Sequence, residues 1–332
     1  MAGRRLLQAV PALAGIVVVT FLLTRALPGD PAAYFAGPAA TPETVAQVRH
    51  NLGLDRSLPV QFLAYLRDLG RGDLGQSITT GQGVGEALLS RLPASLELTL
   101  SGLLLAVAAG LPLGILAATR PDSWIDHMCR VVATAGVSLP TFFTGLLLVH
   151  VFYNLLSWAP APLGRLDAVM TPPEGPTGFF VLDALLHGDL GLARAAAAQL
   201  VLPAVTLGLF TLAPIARMSR AAMLQALGSE YIRAARAAGL GRGQVLAYAF
   251  RNAVLPVVTT LGMVFSFTLG ANVLVEKVFA WPGIGSFAVD ALTASDYAAV
   301  QGFVLAMAVL FVLLNLVIDV AYTLIDPRVA AG

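Results

Sequence analysis

Charged residues are scarce in this sequence, and cysteine and lysine are almost absent. Only 12% of the 332 residues are charged, against ~25% in a soluble domain. The single cysteine, Cys129, excludes a disulfide framework and a cysteine metal cluster. The single lysine, Lys277, follows Glu276 rather than a glycine. The chain therefore has no Gly-Lys-Ser/Thr loop and cannot bind ATP in that way.

Apolar residues make up 57% of the chain and are concentrated in long runs. The mean hydropathy of +0.80 indicates that lipid is the solvent, since ~20 apolar helical residues cross the ~30 Å hydrocarbon layer. The sequence predicts an all-α integral membrane protein with six transmembrane helices. Their approximate bounds are Leu6 to Leu27, Leu96 to Ala118, Val131 to Leu156, Leu200 to Met218, Ala253 to Val275 and Ala298 to Leu324.

The distribution of arginine predicts how these helices are oriented. If the N-terminus is cytoplasmic, the inner segments are 1–5, 119–130, 219–252 and 325–332. Short inner loops of membrane proteins carry an excess of Arg and Lys, and these segments are rich in arginine for their length. Both termini are therefore predicted to be cytoplasmic. The net charge of +1 gives no support to a nucleic-acid partner.

A cleaved signal peptide is the alternative for the N-terminus. The apolar run after Arg5 exceeds the usual length of about 7 to 15 residues, and no small-x-small cleavage site precedes Pro28. We expect an uncleaved first span.

The chain, 1–332, is predicted to form a single transmembrane domain with a large external region at 28–95. In that region, apolar residues at helical spacing predict two amphipathic helices separated by Gly53 and Pro59. A second external segment, 160–176, is rich in proline and glycine and is expected to be irregular.

Most of an unusual stretch, SEYIRAARAAGLGRGQVLAYAFRNAVLPVV at 229–258, lies in the predicted cytoplasmic loop 219–252. Ser229 is placed to cap a helix, and Glu230 favours the positive end of the helix dipole and can pair with Arg233. Gly239 is a natural stop. The pattern predicts a short helix from about Glu230 to Ala238.

A second cytoplasmic helix, about Gly243 to Asn252, is predicted to precede Pro256, which is tolerated at the start of the next span. The two predicted helices would form a helix-turn-helix on the inner membrane surface.

One face of the first helix carries almost no side chains, since Ala234, Ala235, Ala238 and Gly239 lie together there. Another backbone or a groove wall could approach this face closely. The simpler alternative is a basic loop that only fixes topology or touches anionic headgroups. Headgroup attraction requires neither caps nor a small-residue face, so the pattern favours a docking element.

These residues resemble the EAA loop of ABC importer permeases, in which two alanines, a glycine and a downstream Leu-Pro mark the helix that docks into the ATPase subunit. The matching residues here are Ala234, Ala235, Gly239, Leu255 and Pro256. The longer gap before Leu-Pro is similar to the dipeptide, oligopeptide and nickel importer branch. So are LPGDPA, LGLDRSLPVQFLAYLRDLGRGDLGQS, SLPTFFTGLLL, LPAVTLGL and VEKVFAWPGIGSFAVDAL, in order along nearly the whole chain.

Two residues depart from that resemblance. Arg233 stands where the loop has its glutamate, and Ala238 stands where this branch commonly has lysine. A salt bridge from either side chain to the ATPase cannot be carried over. The residues expected to take part in ATPase coupling are Glu230, Tyr231, Arg233, Ala234, Ala235, Arg236, Gly239, Leu255 and Pro256.

The resemblance implies a bacterial inner-membrane permease that forms half of a pathway with a homologous second permease. It further implies two cytoplasmic ABC ATPase subunits, which bind ATP and Mg, and an external solute-binding protein. No cofactor or metal is expected in this chain. Peptides are the favoured substrate, and nickel complexes are the alternative within the branch.

Other function classes find less support in the sequence. A stand-alone secondary transporter or channel usually shows repeat symmetry and a paired midplane charge. A membrane enzyme needs a nucleophile with a base or a metal set, and the four histidines show no ligand-like pairing. Neither class explains the docking element.

Polar residues inside the spans are candidates for the pathway or for gating. They are Asn154, Ser266, Asn272, Asn315 and Asp319. Interhelical hydrogen bonding is the alternative role, although each such bond averages only ~0.6 kcal/mol.

Overall fold

The computed structural model describes residues 2–26, 30–37 and 39–325, and this part of the chain is largely helical. Among these residues there is no strand, and Gln76 and Gly83 form an isolated antiparallel bridge. The predicted all-α class is confirmed. The α-helices are α1 (Ala2–Ala26), α2 (Pro31–Ala36), α3 (Pro42–Asn51), α4 (Leu58–Gly70), α5 (Val84–Thr119), α6 (Trp124–Ser138), α7 (Thr141–Leu148), α8 (Phe180–Leu186), α9 (Leu190–Leu227), α10 (Glu230–Ala237), α11 (Arg242–Val278), α12 (Ile284–Thr293) and α13 (Tyr297–Ile325).

Within the described residues, four helices are long and apolar enough to cross a membrane: α5, α9, α11 and α13. A fifth candidate is the bent pair formed by α6 and by α7 with the π-helical segment that follows it. The apolar part of α1 is the shorter stretch Val10–Leu23. Several membrane spans are therefore confirmed, and the count of six stays a prediction.

The predicted third span, Val131 to Leu156, is not one continuous helix. Leu139 is extended, with φ −107° and ψ 140°, and it separates α6 from α7. The cause is Pro140, because the residue before a proline is pushed out of the helical region. The chain then continues through α7 into a π-helix, Val149–Leu155, and the two halves are bent by more than 40°.

The two amphipathic helices predicted in the external region are α3 and α4. Thr41 caps α3 by accepting a hydrogen bond from the Thr44 N–H. Gly53, with φ +65°, follows α3 and reverses the chain. Pro59 lies in the first turn of α4 rather than between the helices, a position where its missing N–H costs nothing.

The chain packs as two compact units. The first contains Met1–Pro93 and Pro282–Leu313. Its core brings the first turns of α5 against α12 and the start of α13, with Val84, Phe287 and Ala299 buried. The buried Asp296 accepts hydrogen bonds from the Ser77 hydroxyl at 2.7 Å, the Thr79 hydroxyl at 3.0 Å and the Ala299 N–H at 3.1 Å. This carboxylate therefore ties the 77–83 turn to the start of α13.

The second unit contains Ala94–Trp281 and Leu314–Gly332. Within it, α5 approaches α9 at glycines. A Cβ on Gly114 would lie 2.5 Å from the Ala216 carbonyl oxygen, and one on Gly102 would lie 2.8 Å from Leu207 Cβ. Small residues allow such close approach between membrane helices.

Candidate functional site

The short helix α10 forms as predicted, because local signals define both of its ends. Glu230 in its first turn pairs with Arg233, and Gly239 follows the helix with φ +80°. The N–H groups of Gly239 and Leu240 donate to the carbonyls of Arg236 and Ala235, at 3.0 and 3.2 Å. This is a Schellman ending, which requires a left-handed residue and therefore favours glycine.

The predicted capping bond from Ser229 is not present. Ser229 has the extended conformation of an N-cap residue, but its side chain accepts no hydrogen bond from α10. Its hydroxyl instead donates to the Ala226 carbonyl at 2.6 Å. The serine therefore provides a hydrogen bond to a carbonyl group at the end of α9 rather than to an N–H group at the start of α10.

One side chain anchors α10 to the rest of the second unit. Ile232 is fully buried and packs with Met223 and Ala226 at the end of α9 and with Val245 and Ala249 at the start of α11. Burying an Ile side chain contributes ~1.5–3 kcal/mol relative to leaving it in water. A short helix that would be marginal alone is thereby fixed to the ends of two long helices.

Most of the remaining surface of α10 is open. Tyr231 is 42% exposed, and Arg233, Ala234 and Arg236 are exposed as well. Of the predicted small-residue face, Ala234, Ala238 and Gly239 are exposed and Ala235 is half-buried. A Cβ added at Gly239 would have nothing within 4 Å, so the surface at the end of α10 is free to receive a partner.

The predicted second cytoplasmic helix is wrong as a separate element. Instead, α11 begins at Arg242 and continues to Val278 through Pro256. Proline removes one backbone donor, and membrane helices tolerate that loss. In this segment Leu255 is half-buried and Pro256 is exposed. The segment predicted to dock is thus one short helix followed by a long, continuous one.

The candidate pathway residues are distributed over the π-helical segment, α11 and α13. Asn154 is exposed in the π-helical segment and Asn315 is exposed on α13. Ser266 is half-buried, and its hydroxyl donates to the Gly262 carbonyl one turn earlier, at 3.1 Å. The side chain of Asp319 lies outside the described residues.

Asn272 belongs to a buried polar cluster between α5 and α11. Its Nδ2 donates to the Ser95 carbonyl, the Thr99 hydroxyl and a Glu276 carboxylate oxygen, at 3.3, 3.2 and 3.0 Å. The Ser95 hydroxyl donates to the same Glu276 oxygen at 2.5 Å. These contacts satisfy the Asn272 Nδ2 and the Ser95 hydroxyl, which would otherwise be costly in lipid, while the buried Asn272 Oδ1 has no hydrogen-bond partner among the described residues.

A second buried cluster fastens the irregular segment after the π-helix. The Arg165 guanidinium donates to Glu97 at 2.5 Å and to the Gly178 carbonyl at 2.6 Å. It also stacks on the Phe180 ring, 3.4 Å from the centroid. No local sequence pattern predicts the pairing of Arg165 with Glu97, because the two residues belong to different elements and are 68 residues apart in the chain.

No metal-binding arrangement is found in the part of the chain that the structure describes. There, no group of three or more His, Cys, Asp or Glu side chains is placed to hold an ion.

Long apolar helices, buried polar clusters between them and an exposed helix fixed to the ends of two of them define a multi-pass helical membrane protein. The family model "Binding-protein-dependent transport system inner membrane component" matches residues 110–331. The model for the N-terminal part of such components matches residues 2–99. The chain belongs to this family and is a permease of the bacterial inner membrane, as the sequence resemblance predicted.

Curated relatives match over nearly the whole chain. The probable D,D-dipeptide transport system permease protein DdpB of Escherichia coli (strain K12) is 46% identical over 96% of this chain and 94% of its own length. The di/tripeptide transport system permease protein DppB of Pseudomonas aeruginosa (strain UCBPP-PA14) is 42% identical over 98% of this chain and 97% of its own. The dipeptide permease DppB of Escherichia coli (strain K12) is 40% identical, with 98% and 97% covered.

Proposed function

We propose that this chain is the permease subunit of an ATP-driven importer of short peptides. It pairs with a homologous permease to form the pathway, receives substrate from an external binding protein, and is driven by two cytoplasmic ATPase subunits. Those subunits bind ATP and Mg. The names of three relatives that match nearly end to end support dipeptides over nickel complexes.

The observation that carries the coupling role is the two-sided character of α10. Ile232 holds the helix on α9 and α11, while Tyr231, Arg236 and the surface at Gly239 face outward. A force applied to the outer face is therefore transmitted to two long helices. Such a contact suits rigid-body alternating access better than a flexible loop does.

The two departures from the EAA pattern limit how docking can work. Arg233 is paired with Glu230 in its own helix, and Ala238 carries no charge. We propose that docking depends on shape at Ala234 and Gly239, on Arg236 and on backbone contacts. Leu255 and Pro256 lie further along α11. We propose that they contribute to the structure of α11 rather than to the docking surface on α10.

A first test is to purify the tagged chain from its own membranes in a gentle detergent and to identify its partners by mass spectrometry. The proposal expects a second multi-span permease and two copies of a P-loop ATPase. Recovery of the chain alone, with no association when candidate ATPases are added, would favour a stand-alone transporter.

A second test probes the docking face. Gly239→Trp is expected to abolish coupled uptake while the chain stays in the membrane, but Gly239 has φ +80°, so backbone strain contributes to its effect. Ala238→Trp avoids that strain, because Ala238 has φ −74°. The matched control is Ala168→Trp, at an exposed residue of the predicted external segment. Normal dipeptide uptake by the Ala238 and Gly239 variants would contradict the docking model.

A further inference from the structure

A groove of about 350 Å³ lies between α9 and α11 in the second unit. Its wall is mainly apolar and includes Phe210, Met218, Met263 and Phe267. Methionine adapts its shape to different apolar partners. The groove therefore suits side chains of varied shape rather than one fixed ligand.

A second cavity, of about 460 Å³, adjoins the first and is lined by Arg130, Arg217 and Arg220. Arg217 and Ala221 line both cavities, so the apolar groove and this arginine pocket adjoin along α9. Each volume falls within the ~300–1,000 Å³ of small-molecule sites.

The arginine pocket has an excess of positive charge. Asp126 is fully buried and is paired with Arg220 and, at 3.7 Å, with Arg130. Arg217 is exposed, and within the described residues it forms no ion pair and no hydrogen bond. Asp122 also lies near enough to act on the charge of Arg220. The three guanidinium groups that line the pocket therefore outnumber the two nearby carboxylates, which leaves it complementary to an anion.

The position of the groove in the predicted span indicates which of its ends is nearer the cytoplasm. Arg217 lies at the inner end of the span predicted for Leu200 to Met218. At 1.5 Å per residue, Phe210 lies ~10 Å deeper in the membrane. Ionisable side chains within membrane spans face water-filled cavities and mark substrate pathways. The groove thus leads from the membrane interior to the cytoplasmic rim.

We propose that the groove and the arginine pocket bind the transported peptide on its way to the cytoplasm. Apolar peptide side chains lie against Phe210, Met218 and Met263, and the C-terminal carboxylate is bound by Arg217 in charge-assisted hydrogen bonds. This inference deepens the proposed function and rests on it. It also makes Arg217 a residue that selects for a free carboxylate.

An anionic lipid is the alternative occupant, because, like the peptide, it combines an apolar part with an anionic group. The geometry favours the peptide. An arginine that faces lipid at the end of a span typically extends its charged group to the headgroups by itself, without other arginines around it. Here Arg130 on α6 lines one cavity with Arg217 and Arg220 on α9, and Arg130 and Arg220 pair with the buried Asp126. A buried Asp126 beside lipid would be costly, whereas beside a hydrated pathway it is not.

The experiment uses the assembled transporter in inside-out vesicles and a cysteine reporter, Met263→Cys. A charged, membrane-impermeant methanethiosulfonate is expected to modify this cysteine. The native chain, labelled in parallel, reports the background from Cys129, which is 1% exposed. Phe210→Cys on the facing helix is the second reporter, should the first variant fail to assemble.

Millimolar Leu-Leu is expected to slow this modification at least fivefold, and Leu-Leu amide is not. Adding Arg217→Gln is expected to raise the Leu-Leu concentration needed for half-maximal protection about tenfold. Arg217→Lys is expected to leave this concentration close to that of the native chain. Arg194→Gln, at an exposed arginine on the same helix and outside both cavities, is expected to change nothing.

Two results would overturn the inference. Modification only by lipid-soluble N-ethylmaleimide, together with cross-linking to a photoactivatable phosphatidylglycerol, would identify a lipid site. Modification that neither peptide slows would show a hydrated surface that binds no substrate. Uptake of labelled Leu-Leu by the native transporter is measured alongside: uptake without protection removes only the groove, whereas no uptake of any dipeptide removes the proposed function.

Discussion

Arg220 on α9 binds the carboxylate of Asp126 on α6 at two points. Its Nε donates to Oδ1 at 2.5 Å and its Nη2 donates to Oδ2 at 2.7 Å. The Asp126 side chain is fully buried and that of Arg220 is 25% exposed. The Asp122 N–H donates to the same carboxylate at 3.0 Å. This pair fixes the start of α6 to α9 beside the arginine pocket.

Breaking this pair from one side should destabilise the permease. Asp126→Ala leaves Arg220 without its partner, and removing one member of a buried pair costs ~3–5 kcal/mol. Because Arg220 keeps some contact with solvent, we expect about 2–3 kcal/mol. The apparent unfolding temperature in detergent should fall clearly for Asp126→Ala and less for Arg220→Lys, which keeps the charge. Native-like melting of Asp126→Ala would show that the pair adds no stability.

The same pair shows what the sequence could not predict. Asp126 and Arg220 are 94 residues apart, and no spacing rule joins them. Arg165 and Glu97 are likewise 68 apart. Contacts of this kind depend on how helices are arranged in space, which local patterns do not contain. The groove between α9 and α11 was missed for the same reason.

Features controlled by neighbouring residues were predicted better. The short helix ending at Gly239 and the two helices α3 and α4 follow from caps, spacing and glycine. The errors also have local causes. The sequence predicts a separate helix that ends before Pro256, yet α11 continues through this proline, because a membrane helix tolerates the loss of one hydrogen bond. Pro140, in contrast, does end a helix, and the sequence alone did not separate these two outcomes.

A second prediction concerns the segment that Arg165 fastens. Arg165→Met keeps much of the apolar contact with Phe180 but removes both the Glu97 bond and the Gly178 bond. We expect faster cleavage between Trp158 and Phe179 by protease added from the outside, and an apparent unfolding temperature lower than that of the native chain. Arg194→Met, at an exposed arginine of α9, is the control. Equal cleavage rates for Arg165→Met and the native chain would contradict a fastening role.

A third prediction uses two helical glycines with opposite surroundings. A Cβ at Gly114 would lie 2.5 Å from the Ala216 carbonyl, whereas one at Gly270 on α11 would have nothing within 4 Å. Gly114→Ala should therefore destabilise by forcing α5 away from α9. Gly270→Ala should be neutral or stabilising by ~0.5–1 kcal/mol, because alanine is the better helix former. Apparent unfolding temperatures in detergent measure both, and a Gly114→Ala variant as stable as the native chain or more so would mean that helix propensity outweighs packing at that position.

The last prediction separates the two faces of α10. Ile232→Ala removes its buried anchor, a change that typically costs ~2–5 kcal/mol in a core. Because α10 is a short surface element, we expect it to open locally while the long helices stay folded. Amide hydrogen exchange across Glu230–Ala237 should speed up at least tenfold, and coupled dipeptide uptake should fall, with little change in the apparent unfolding temperature.

Tyr231→Ala on the exposed face is the matched comparison. Tyr231 is 42% exposed, so its loss should leave hydrogen exchange in α10 unchanged while reducing the amount of ATPase that copurifies. A change in hydrogen exchange then indicates a role in anchoring, and a change in the amount of copurified ATPase alone indicates a role in docking. If Ile232→Ala left exchange at the native rate, the cluster around Ile232 would not be what holds α10, and a force on this helix would have to reach α9 and α11 through the chain connections at Gly228 and Gly241 instead.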